Sequence, residues 1–155
     1  MSRLAPILLG LLAFTIASCG GGDGGPSREE FAERANEICR QAEQSLENVG
    51  QEAESPAEIA NAVDRVIEES RNAVDELADL ERPEGDAGDT AEEFVDATRR
   101  EIQEEGIPAL EDLRDALEDG DQEAAQEAAR RLQEIDTGDS NRAARELGAD
   151  ACAEE

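Results

Sequence analysis

The sequence predicts an all-α fold: an up-down bundle of about four amphipathic helices, preceded by a signal peptide and a flexible tether. Three observations predict it. Apolar residues recur every three to five positions along four stretches of the chain. Alanine, the best helix former, supplies 23 of the 137 residues after position 18. Proline, glycine and capping residues fall between the stretches rather than within most of them. Composition pulls the other way, since Leu, Ile, Val and Phe make up only 21 of those 137 residues and the net charge is large, a combination that favours disorder. The periodicity, the alanine content and two cysteines able to staple the ends favour a folded bundle with a thin core.

The chain opens Met1-Ser2-Arg3 and then carries no charge over residues 4–17. A membrane-spanning helix needs about 20 apolar residues, so this run suits the core of a signal peptide better than a stable span. It ends Ile16-Ala17-Ser18-Cys19. A branched aliphatic, two small residues and a cysteine suit a lipoprotein signal peptidase, which needs small side chains at the cut and a thiol to carry the lipid. Cleavage before Cys19, with lipidation of Cys19, is the expectation; an ordinary secretory leader and an uncleaved anchor are the alternatives. Two or three acyl chains hold firmly where one is marginal, at about 0.8 kcal/mol per buried methylene. Residues 19–26 are glycine-rich, interrupted by Asp23, and read as a flexible tether. The domain plan is therefore a signal peptide over 1–18, a tether over 19–26 and an acidic helical domain over 27–155.

Helix one should begin after Ser27, because Ser27 and Glu30 form a capping box in which each side chain satisfies a free backbone donor of the first turn. Its stripe is Phe31, Ala35, Ile38, Ala42, Leu46 and Val49, and Gly50 is its terminator. Helix two is announced by Ser55-Pro56-Ala57-Glu58, a second capping box with proline at the first helical position. Ile59, Val63, Val66, Ile67, Val74, Leu77 and Leu80 mark its apolar face, and residues 82–86 break it. Helix three starts between Asp86 and Thr90 and carries Ala91, Phe94, Val95, Ile102, Leu110, Leu113 and Leu117. Gly106-Ile107-Pro108 lies inside this run, and a proline removes a backbone hydrogen bond and clashes with the preceding turn, so a kink or break is expected there. Gly120 ends that helix and Asp121 caps the next. Helix four carries Ala125, Ala128, Leu132, Ile135, Ala144 and Leu147, with Gly138 as a bend or interruption and Gly148 as terminator.

Cys39 lies on the apolar side of helix one and Cys152 just past helix four. In an up-down bundle of four, the start of the first helix and the end of the last share one end, and exported proteins meet oxidising conditions. A Cys39–Cys152 disulfide is therefore expected, with two free thiols as the alternative. Closing so long a loop stabilises by roughly 4–5 kcal/mol in the chain-entropy account.

The charge excludes some functions and invites others. Without the leader, 13 Arg stand against 41 Asp and Glu, a net of −28, with no Lys or His anywhere in the chain. Such a surface repels nucleic acid and anionic headgroups and attracts cations or a basic partner; a merely solvated acidic face is the plainer reading. Without histidine there is no histidine triad, histidine-ligated zinc site or histidine-bearing di-iron bundle. Without lysine there is no phosphate loop of the usual kind. A glycosidase would need stacking aromatics, and only Phe31 and Phe94 follow the leader. Residues 115–126 align with a calcium loop at Asp115, Asp119 and Gly120, but Leu117 and Gln126 stand where two ligands belong. No catalytic, cofactor-binding or metal-binding residue is assigned. Several charges have a simpler structural use, since Glu30–Arg34, Asp96–Arg100 and Glu127–Arg131 are spaced four apart for helix ion pairs.

Phe31, Ala35, Asn36, Ile38 and Cys39, with Leu147-Gly148 and Cys152 near the end, carry a resemblance. On these residues the chain resembles a group of small helical lipoproteins of actinobacteria. Residues 80–86 and Gly120-Asp121 also look like that group's turns between helices, while Gly106-Ile107-Pro108 and Gly138 depart from its smoother helices. The resemblance implies a disulfide-closed helical fold and supplies no activity. Asn36, within the motif, is expected to bond locally or face solvent. The functional expectation is a non-enzymatic interaction or structural module of the cell envelope, held at the extracytoplasmic face of the membrane by its N-terminal lipid, with an envelope protein as partner and no nucleic acid. A binding module for cations or a basic ligand is the alternative.

Overall fold

A computed structural model describes residues 25–49 and 55–153. The signal-peptide segment, Cys19 and most of the tether, Gly50 and the C-terminal Glu154-Glu155 lie outside the described residues. The fold is all-α, a bundle whose helices are α1 (Arg28–Val49), α2 (Pro56–Asp79), α3 (Asp86–Arg99), α4 (Ile107–Asp119), α5 (Gln122–Gln133) and α6 (Gly138–Leu147). A π-helical segment, Arg100–Gly106, joins α3 to α4, and a 3₁₀ turn, Asp150–Cys152, follows α6. Helix α2 packs on α1 and α4, α4 on α5, and α3 on α6. Among the described residues no helix is long and apolar enough to cross a membrane.

Both capping boxes form. The Ser27 N–H donates to Glu30 at 2.9 Å, and the Glu30 N–H donates to the Ser27 hydroxyl at 3.2 Å. The first of these bonds is the main reason that the Glu30 carboxyl titrates below its ordinary range. Ser55 and Glu58 repeat the arrangement at α2, with Pro56 at the first helical position. Asp121 accepts from the N–H groups of Glu123 and Ala124 and starts α5. Gly120 and Gly148 end α4 and α6 at φ values of +70° and +85°, a left-handed backbone that a Cβ would strain.

The expected kink or break before Pro108 takes a different form. Proline cannot donate a backbone hydrogen bond, and its ring crowds the turn before it. The chain answers by widening that turn: the Ile107 N–H reaches back five residues to the Ile102 carbonyl, and helical geometry continues into α4. The third helix of the bundle is thus one α3–π–α4 rod. The fourth helix, by contrast, is two. It stops at Glu134 and resumes at Gly138, so Gly138 begins α6 rather than bending a longer helix. Asp136 accepts from the Gly138 N–H at 3.0 Å and helps to start the new helix.

Two apolar clusters hold the bundle. The larger contains Phe31, Ala35, Leu77, Phe94, Val95 and Leu147, with the disulfide packed against it. The smaller is built on Val63, Ile67 and Ile107, flanked by half-buried leucines of α4. Alanines fill many of the remaining buried positions, and this lets the helices approach closely. Ile59, expected on the apolar face of α2, is instead 39% exposed. The helix ion pairs also shift: Asp96 meets Arg99 and Glu127 meets Arg130, leaving Arg131 to reach across to Asp112 on α4.

Candidate functional site

Cys39 and Cys152 are joined, with their Cα atoms 5.3 Å apart and a sequence separation of 113. Helix α6 ends at Gly148, and the 3₁₀ turn then folds back along the middle of α1, which brings Cys152 to Cys39. Asn36 fastens the same turn. Its Nδ2 donates to the Gly148 carbonyl at 3.1 Å and its Oδ1 accepts from the Ala151 N–H at 2.7 Å. Asn36 therefore neither bonds locally nor waits for solvent. It bridges more than 110 residues of sequence and satisfies two backbone groups at the end of the chain. Lipidation of Cys19 concerns a residue outside the described structure.

Beside this clamp runs an open groove of about 1010 Å³. It runs between α1, α2, the α3–π–α4 rod and the α5–α6 break, and α1 contributes no residue to the smaller cluster. Its walls are mainly apolar: Leu46 from α1, Ala73 from α2, Ile102 and Leu110 from the third rod, and Leu132 and Ile135 near the α5–α6 break. Such a volume matches ordinary small-molecule sites, which run from roughly 300 to 1,000 Å³ and are mostly apolar with a few placed polar groups.

The polar group here is Glu101, in the π segment. Only 7% of it is exposed, and among the described residues it is the one buried ionisable side chain. Burial pushes its carboxyl above the ordinary carboxylate range, while hydrogen bonds from the Ser140 hydroxyl and the Ser140 backbone N–H, and the charge of Arg100, pull the other way. Ser140 is also buried and its hydroxyl lies 3.1 Å from the Thr137 carbonyl. A hydroxyl has one proton, so Ser140 divides it between that carbonyl and Glu101. The local reason for the placement is the start of α6, where Thr137 supplies no side-chain cap. Glu101 fills that role from another helix, at the positive end of the α6 dipole. Gly106 permits the close fit, since a Cβ there would lie 3.3 Å from the Glu101 carbonyl oxygen and 3.8 Å from Ile135.

No protein-family model, curated protein or solved structure matches the chain. Its chemistry must therefore be read from its own residues.

The calcium-like segment resolves differently from a binding loop. Asp115 and Asp119 lie on α4 itself, Asp115 pairs with Arg114 at 2.8 Å, and Asp121 is occupied as the α5 cap. Among the described residues no group of three or more carboxylates or cysteines is arranged to hold a metal ion.

Proposed function

We propose that the chain is a non-enzymatic binding module of the cell envelope, cleaved before Cys19 and held at the extracytoplasmic face of the membrane by lipid on that cysteine. The observation that carries the binding half of this reading is the groove, a ligand-sized, apolar-walled space with one buried carboxylate. The anchor half rests on the leader and the motif at Ile16-Ala17-Ser18-Cys19, and on the resemblance to actinobacterial lipoproteins. The occupant of the module is a ligand or an envelope protein; its alternative use is capture of cations or a basic ligand by the acidic surface.

The tether adds geometry to this reading. A side chain at Gly25 would meet the Arg82 carbonyl oxygen at 2.6 Å, so the chain enters the bundle against the α2–α3 turn. Six residues from Cys19 to Gly25 span at most about 20 Å. A lipid on Cys19 would thus keep the end of the bundle bearing that turn near the membrane and leave the α4–α5 end facing outward.

Two measurements test the proposal. Intact mass of the membrane-extracted protein should show a chain beginning at Cys19 and carrying lipid, and Cys19→Ala should release the protein from the membrane fraction. Crosslinking in the native envelope should recover a bound protein or ligand. A leader cut elsewhere, or a Cys19→Ala chain still held at the membrane, overturns the anchor.

A further inference from the structure

We propose that the groove binds an amphipathic organic cation, an ammonium or guanidinium carried on a compact apolar body, with Glu101 as the countercharge. The proposal rests on the binding-module reading and gives it a ligand class.

Charge complementarity selects the occupant. The groove lining includes four carboxylate residues, Glu43, Glu47, Glu101 and Asp150, and no arginine. Two of them, Glu43 and Glu47, follow one another on the α1 wall and are exposed, so they draw a cation to the mouth. Glu101 lies deeper. A buried carboxylate is costly unless it is paired, and Ser140 offers it only neutral donors. Arg100, its sequence neighbour, is exposed and does not line the groove. An ammonium group lying against Glu101 would supply the missing charge in a medium where ion pairing is strong. Apolar walls on three sides, from Leu46, Ile102, Leu110, Leu132 and Ile135, would desolvate the body of the same molecule. A simple polycation fits less well, since it would leave these walls wet. A fatty acid would set its carboxylate among four others. The π segment is the device that turns Glu101 inward, and such segments are frequent at functional sites.

The test is a titration of the isotope-labelled, disulfide-bonded full chain followed by amide chemical shifts, because the chain has no Trp or Tyr to report by fluorescence. The probes are adamantylammonium, adamantanol, adamantane carboxylate and spermidine. Adamantylammonium should shift the amides of Ile102, Leu110, Leu132 and Ser140 and bind at least tenfold more tightly than the alcohol or the carboxylate. Spermidine should shift exposed acidic positions without displacing it. Glu101→Gln should bring the affinity for the ammonium down toward that for the alcohol. If Glu101→Gln disturbs the fold, Leu46→Arg places a fixed cation at the wall and should abolish ammonium binding while leaving the amide pattern elsewhere intact.

Equal binding of ammonium and alcohol would overturn the proposal, as would shifts spread over surface acids with none in the groove, or an unchanged preference in both variants. A protein crosslinked in the envelope together with silent titrations would retire the ligand class and leave the binding module standing. A Cys19→Ala chain that stays at the membrane would remove the anchor and leave the titration result as it is.

Discussion

The two ends of the bundle are built by different means. At the end bearing the disulfide, both phenylalanines after the leader are buried in one cluster with Leu77, Val95 and Leu147. The guanidinium of Arg82 lies 5.7 Å from the centre of the Phe31 ring and donates to the carbonyls of Leu77, Ala78 and Leu80, closing the C-terminus of α2. Asn36 and the disulfide then fasten the last turn of the chain. At the opposite end the smaller cluster is Val63, Ile67 and Ile107, with buried alanines around it and no aromatic ring among its members. Ion pairs link the helices there, Arg71–Glu111 at 2.8 Å and Arg114–Asp64 at 3.1 Å, all with side chains partly or largely exposed. Exposed pairs contribute little, typically under about 1 kcal/mol each. A chain this acidic and this poor in large apolar residues gathers both aromatic rings at one end, and the groove runs between the two clusters, touching Leu77 and Phe94 of the larger and Ile107 of the smaller.

That contrast can be broken in graded steps. The largest effect belongs to the disulfide. Cys39→Ser with Cys152→Ser, or reduction of the native chain, should lower unfolding free energy by roughly 4–5 kcal/mol, read from urea melts with and without reductant. A loss below about 1 kcal/mol would mean that the ends find each other without it. Next is Phe31→Ala, expected to cost about 3–5 kcal/mol, against about 1 kcal/mol for Ile67→Val at the other end. Similar values for the two would erase the difference between the ends. Asn36→Ala should cost about 1–2 kcal/mol, because it removes two long-range hydrogen bonds, to the Gly148 carbonyl and from the Ala151 N–H, whose exposed backbone groups water can then satisfy. The Ala151 amide should then exchange faster than its neighbours.

The smallest effect concerns Glu101 and has a sign that depends on pH. Its folded carboxyl titrates above the ordinary range, so the folded state favours the protonated form and ionisation opposes folding. At low pH, where the acid is protonated folded or unfolded, wild type and Glu101→Gln should melt alike. As pH rises through the ordinary carboxylate range toward the folded value, wild type should lose stability relative to Glu101→Gln. A Glu101→Gln chain that melts lower at neutral pH would show that the α6 amides hold the carboxylate charged instead.

The parts of this fold that can be read from the sequence are those fixed by neighbours along the chain. Ser27, Ser55 and Asp121 cap helices through donors two or three residues away, and Gly120 and Gly148 end them by their own backbone freedom. The pairing of Cys39 with Cys152 follows from topology, because an up-down path of four helices brings the first helix and the end of the last to one end. What escapes depends on distant partners. Pro108 announces trouble in helix three, but the local sequence does not say whether the backbone breaks or widens, and it widens, with the Ile107 N–H bonded to the Ile102 carbonyl. The split of helix four falls at Ile135-Asp136-Thr137, where Asp and Thr beside Gly138 are the available signal. Asn36 finds its partners more than 110 residues away. Glu101 is one of 41 acids, and nothing in its sequence surroundings marks it as the buried one.

Native-state hydrogen exchange on the oxidised full chain probes the asymmetry between the two ends, since it reads local opening free energies along the whole molecule. The strongest protection is expected in the first half of α1, in α3 and in α6, where the larger cluster and the clamp lie, with markedly weaker protection in α5 and the second half of α4. Protection that is uniform along the bundle, or greatest at the α4–α5 end, would show that the two ends do not differ in the way their side chains imply.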